Sequence, residues 1–290
     1  MVHFESPFSR LTVEVNKYIT QINVAHIIIP EWLAPNVLTF TVLNAFLLTL
    51  YDYDFCASSD ANSNCPPVPS WVWIFCAVSH FLAHTLDGID GKQARKTKSS
   101  GPLGELFDHG LDSWTSLFIP FCIYSLFGRG EYSYEPIRVL FIFWAIFSTF
   151  YFSHWEKYNT GILYLPWSYD ISQIALFIMY IVTYCQTYTI WNFTLPVLSL
   201  SVGQMFEIIS HVGSFGISIP VAVYNVYVAY RSNSLKQSTL YECLLPLVSV
   251  VVLFSTTTFW AVYSPSDIVN KDPRVFYFML GTCRLIFRSR

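Results

Sequence analysis

Seven stretches of about twenty mostly apolar residues recur along the chain, near 36–52, 70–90, 103–127, 136–153, 171–191, 208–230 and 241–263. A helix of about 20 apolar residues matches the hydrocarbon core of a bilayer, and only helices and closed barrels satisfy their backbone polar groups there. The expected fold is all-α: a polytopic membrane bundle of about seven spans. Composition agrees, since 53% of the 290 residues are hydrophobic and 12% charged, whereas soluble chains carry about 25% charged residues. The net charge of −3 and the lack of a basic stripe give no reason to expect a nucleic-acid partner.

Ahead of the spans, residues 1–34 mix Phe8, Leu11, Val13, Val15, Ile19, Ile22 and Val24 with Arg10, Glu14 and Lys17. This predicts an interfacial amphipathic arm, with Trp32 at headgroup level. No cleaved signal peptide is expected at the start. Residues 35–263 form the expected transmembrane catalytic domain. Residues 264–290 form an incomplete C-terminal segment, in which Val275–Phe287 begins like an eighth span but meets Arg284, Arg288 and Arg290. Charge that deep is costly, so this aborted span is not expected to cross as a stable helix by itself. The polar, Trp- and Tyr-rich stretch 153–170 reads as an interfacial loop.

Lys and Arg in alternate loops set the orientation. Lys92, Arg95, Lys96, Lys98, Lys157, Arg231 and Lys236 fall on one side, and Arg129, Arg138, Lys271 and Arg274 on the other. The richer side is expected in the cytosol, and the sequon at Asn192 then lies across the membrane, too near it to be modified. Of seven cysteines, most sit in apolar runs as packed thiols. Cys56 and Cys65 share one polar loop, with pairing left open.

The chemistry gathers between Asp87 and Asp112. Asp87 and Asp90 are spaced i,i+3, and Asp108 and Asp112 i,i+4, so on helices each pair shares a face. Gly91 and Ala94 lie on the first stripe and Gly104 near the second, leaving room for a ligand beside the backbone. Gly101-Pro102 separates the two helices. Four neighbouring carboxylates oppose one another's ionisation, and bound divalent cations relieve this. Oxygen-only donors favour two Mg²⁺ or Mn²⁺ ions over zinc, about 3.5–4 Å apart as in phosphoryl-transfer sites. Arg95 presents a forked donor suited to phosphate oxygens, and Lys98 is within reach of the same ligand. His80 and His84, spaced i,i+4, read as packed residues rather than ligands. Glu105 and His109, also i,i+4, form a carboxylate–imidazole pair suited to take a proton from an alcohol. The base role stays open between His109 and Asp112, with His109 favoured because a metal-bound carboxylate is a poor base.

The complete pattern D-x-x-D-G-x-x-A-R-x8-G-x3-D-x3-D from Asp87 to Asp112 resembles the signature of the CDP-alcohol phosphotransferases, and the chain is identified as a member. Outside it, WLAPNVLTF, FGRGEYS, SHWEKYNTGILYLPWSYDISQ, YSPSDI and DPRVFYFMLGT are similar to the eukaryotic ethanolaminephosphotransferase branch more than to the choline enzymes. The resemblance implies a helical membrane bundle of the endoplasmic reticulum or Golgi, homodimeric, with its site towards the cytosol. It implies CDP-ethanolamine as donor, diacylglycerol or its ether analogue as acceptor and phosphatidylethanolamine as product. Asn36 would face the nucleotide, Glu105 would help hold the donor and His109 would act as base. A choline or dual enzyme is the alternative. The family has about ten spans, so a shortened, inactive form that binds CDP-alcohol or a full-length partner is another. A prenyl-diphosphate enzyme and a cation transporter are rivals of different chemistry, disfavoured by the G-x-x-A-R insert and by the helix–turn–helix placement of the acids.

Overall fold

The computed structural model describes residues 37–51, 67–96, 118–127, 132, 135–162, 167–196 and 199–288. The N-terminal arm, the Cys56–Cys65 loop and the stretch 97–117 lie outside them. The described residues form helices α1 (Val37–Tyr51), α2 (Ser70–Lys96), α3 (Phe118–Phe127), α4 (Pro136–Thr160) and α5 (Trp167–Gln186). After these come α6 (Val202–Arg231), α7 (Leu240–Tyr263), the short α8 (Ile268–Lys271) and α9 (Pro273–Arg288). One departure from all-α is a two-residue antiparallel ladder between β1 (Thr194–Leu195) and β2 (Leu200–Ser201). It folds the connection ahead of α6 back on itself.

Local chemistry sets the helix ends. Pro136 opens α4, where its missing N–H costs nothing. Ser201 and Gln204 form a capping box on α6, as do Thr239 and Glu242 on α7. Among the described residues α4, α6 and α7 are long and apolar enough to cross a hydrocarbon core alone. The protein is an integral membrane protein.

One sequence expectation is corrected. The stretch 153–170 is not one loop: α4 runs to Thr160, where Gly161 caps it at φ 79°, and α5 starts at Trp167. Its polar residues are tolerated because they are bonded within the bundle, as Glu156 is to Asn225 of α6 (2.7 Å) and Asn159 to the carbonyl of Trp155 (2.9 Å). The C-terminal segment, expected not to cross as a stable helix by itself, forms α9 packed on the bundle and is not among the described helices long and apolar enough to span. Phe276, Tyr277 and Leu280 of α9 are buried, Arg274 reaches Ser125 of α3, and Tyr277 donates to the Pro136 carbonyl at 2.6 Å.

One apolar core joins α1 to α9, with Leu48, Trp73, Leu126, Leu140, Tyr180 and Phe276 almost wholly enclosed. Trp144 of α4 stacks on Phe254 of α7 with ring centroids 3.8 Å apart. Within α6, Val212–Ser218 widens into a π-helical turn just before Pro220. Pro246 sits inside the continuous α7, and Trp155 and Tyr151 of α4 donate to the carbonyls of Cys243 (2.7 Å) and Pro246 (2.6 Å). Side chains thus satisfy carbonyls around the proline, as a helix in lipid requires.

Candidate active site

The described half of the aspartate motif is the last turns of α2. That helix is unbroken from Ser70 to Lys96, so positions 87, 90, 91 and 94 share one stripe by register, and position 95 borders it. This is the arrangement that two ligands of one cation site and small residues beside it require. Asn36, Lys98, Gly104, Glu105, Asp108, His109 and Asp112 lie outside the described residues.

What holds α2 in place is visible. Asn44 of α1 donates to the Cys76 carbonyl at 3.2 Å and accepts from the Ser79 hydroxyl. Nearer the other end, Tyr51 meets Trp71 edge-on at 5.7 Å, so the two helices run antiparallel. Val37 is seven residues before Asn44 and Leu86 seven beyond Ser79. At 1.5 Å per residue each is about 10 Å along its axis, which puts the start of α1 level with the Leu86–Asp87 turn.

On the other flank, Phe81 packs on Phe177 of α5 at 5.4 Å, while Trp73 and His80 pack on Tyr180 at 6.3 and 6.0 Å. This pair is antiparallel too. Trp167 is ten residues before Phe177 and Gly91 ten beyond Phe81, about 15 Å each, so α5 begins level with Gly91. The starts of α1 and α5 therefore flank the motif. At the opposite end, Arg138 near the start of α4 pairs with Glu207, Phe206 meets Phe127 and Phe127 meets Trp191 just past α5, so the end of α4 shares the end of the bundle where α5 begins. There Lys236 donates its backbone N–H to the Asn159 carbonyl at 2.8 Å, and Gln237 bonds the Tyr158 carbonyl at 3.0 Å.

Lys92, Arg95, Lys96, Lys157, Arg231 and Lys236 thus share one end of the bundle. Arg138, Lys271 and Arg274 belong to the other, where Arg138 pairs with Glu207 at 2.6 Å. His80 is buried against Tyr180 and is a packed residue of the α2–α5 seam. Of the cysteines, Cys76, Cys122 and Cys243 are buried free thiols and Cys185 is exposed.

Sequence reasoning missed Asn44, Ser79, Glu156 and Asn225. A polar residue recurring within an apolar run, at helical spacing from others, was the available signal. Glu156 and Asn159 carried it, but the Trp- and Tyr-rich surroundings read as a loop.

Residues 32–213, which include the whole motif, match the family model described as CDP-alcohol phosphatidyltransferase. The chain is 43% identical over 270 residues to ethanolaminephosphotransferase 1 of Mus musculus, covering 89% of this chain and 67% of the relative, and the Homo sapiens protein of that name matches to the same degree. Cholinephosphotransferase 1 of Homo sapiens is 29% identical over 258 residues, covering 87% and 61%. With the acidic motif complete, its first half on one helix and the match spanning more than half the chain, this protein belongs to the CDP-alcohol phosphatidyltransferase family.

Proposed function

We propose that the protein transfers phosphoethanolamine from CDP-ethanolamine to the hydroxyl of diacylglycerol or its ether-linked analogue. CMP is released and phosphatidylethanolamine forms, at the cytosolic face of the endoplasmic reticulum or Golgi. The observation that carries this reading is the complete Asp87–Asp112 motif, with Asp87 and Asp90 on one unbroken helix. Identity of 43% to the ethanolamine enzymes against 29% to a choline enzyme supports the choice of alcohol.

Asp87, Asp90, Asp108 and Asp112 would hold two Mg²⁺ or Mn²⁺ ions, an all-oxygen donor set that suits them. When bound, such ions neutralise charge on the pyrophosphate and on the departing oxygen. Arg95 binds phosphate oxygens with its fork. Asn36, Gly91, Ala94, Lys98 and Gly104 line the nucleotide's path. His109 takes the proton of the acceptor hydroxyl, oriented by Glu105 one turn away. The hydroxyl oxygen bonds to the phosphorus bearing ethanolamine, and the bond from that phosphorus to the CMP oxygen breaks.

The test is CMP release by purified protein in nanodiscs with Mg²⁺, diacylglycerol and either CDP-ethanolamine or CDP-choline, beside Asp108→Asn and His109→Ala. Faster release from CDP-ethanolamine, lost in both variants, supports the reading. Equal rates on both donors make it a dual enzyme. Nucleotide binding without CMP release overturns it in favour of a binding protein.

A further inference from the structure

Glu156 is a buried carboxyl group that the proposed reaction does not use. It is 2% exposed, and the one side-chain bond among the described residues to its carboxylate comes from Asn225. No described basic side chain pairs with it. One helical turn further on, Asn159 is 0% exposed. Its Nδ2 must be the atom facing the Trp155 carbonyl at 2.9 Å, since a carbonyl can only accept. That fixes Oδ1 as the other atom, and Oδ1 is buried without a donor among the described residues.

An enclosed carboxyl group with lone pairs to spare and, one turn on, an enclosed amide oxygen without a donor among the described residues together suit a compact cation rich in N–H. Leaving such acceptors unmatched in a low-dielectric setting is costly. The two positions are i,i+3 on α4, at the end of the bundle that carries the aspartate motif, because Arg138 at the other end of α4 pairs with Glu207, whose neighbour Phe206 meets Phe127, which meets Trp191 just beyond the end of α5. We propose that Glu156 and Asn159 form the receptor for the primary ammonium of the aminoalcohol being transferred, and so select –NH3⁺ over a trimethylammonium head. This rests on the transfer reaction proposed above.

The chemistry discriminates in one direction. A primary ammonium has three donors and no acceptor, so it bonds Glu156 and Asn159 Oδ1 together. A trimethylammonium has no N–H, is bulkier, and is better held by aromatic faces than by a bare carbonyl. It would leave Oδ1 as unmatched as before. The Asn225 amide occupies one side of the carboxylate, fixes its rotamer and leaves the remaining lone pairs for the ligand.

The test compares kcat/KM for CDP-ethanolamine and CDP-choline, with Mg²⁺ and diacylglycerol in nanodiscs, for wild type, Glu156→Gln, Asn159→Ala and Arg138→Met. Glu156→Gln should lose at least tenfold on CDP-ethanolamine, chiefly through KM, with CDP-choline within twofold. Asn159→Ala should shift the ratio in the same direction by less. Arg138→Met, at the opposite end, controls for general loosening and should keep the ratio. Glu156→Asp, which keeps the charge but withdraws it by one methylene, should raise KM for CDP-ethanolamine alone and serves if the Gln variant does not fold. An unchanged ratio in the Glu156 variants, or an equal fall on both donors, overturns the receptor while leaving the reaction intact. A wild-type chain that releases no CMP from CDP-ethanolamine overturns the reaction and the receptor with it.

Discussion

Replacing Asn44 by Ala tests whether the α1–α2 seam holds the motif in register. Asn44 and Ser79 are 2% and 3% exposed, and between them lie two interhelical bonds: Asn44 Nδ2 to the Cys76 carbonyl, and Ser79 Oγ to Asn44 Oδ1. Interhelical side-chain bonds in membrane proteins contribute about 0.6 kcal/mol on average and up to about 1.7. The variant orphans nothing badly. Ser79 still donates to the Phe75 carbonyl of its own helix at 2.7 Å, and the Cys76 carbonyl lies inside α2. The expected loss is therefore about 1–2 kcal/mol, the sum of two such bonds, without a large added penalty for a stranded group. Ser79→Ala removes one bond and should cost about half as much. The pair shares a bond, so the double variant should show a coupling of about 0.5–1 kcal/mol. Denaturant titration of the purified protein in micelles measures all four forms. Because α1 begins level with Asp87, the KM for the CDP donor should also rise in Asn44→Ala. A loss below about 0.3 kcal/mol, or strict additivity of the two changes, would refute the clamp.

Asp108→Asn or chelation by EDTA should each lower CMP release by about 10²–10³-fold, as expected when several kcal/mol of charge stabilisation is removed; Mg²⁺ or Mn²⁺ should restore the chelated wild type but not the variant. His109→Ala should lower kcat by about 10²–10⁴-fold with nucleotide affinity retained, the usual scale for a general base, read by turnover and equilibrium binding on one preparation. Gly161→Ala forces a side chain into φ 79° and sets its Cβ 2.6 Å from Lys236 Cε; the lysine stem can shift, so the cost should be about 1–2 kcal/mol from the backbone, read as a lower unfolding midpoint.

The apolar runs alone settled that this chain lives in a bilayer, because their lengths match the hydrocarbon thickness whatever they pack against. The first half of the aspartate motif was legible in the same way, since on any helix i,i+3 places two positions on one face, and α2 is helical through both. Asn44, Glu156 and Asn159 were a different matter. Each is a polar residue in a helix, and whether it meets water, lipid or a partner depends on which helix lies opposite. The α1–α2 bond, the Asn225 contact and the αL cap at Gly161 answer that, and they turned an apparent surface loop into the buried end of α4. The α9 segment shows the same division. Its arginines argued against a span that crosses by itself, and the sequence window said nothing of the packing that buries Phe276, Tyr277 and Leu280 against the bundle, because packing energy belongs to pairs of helices.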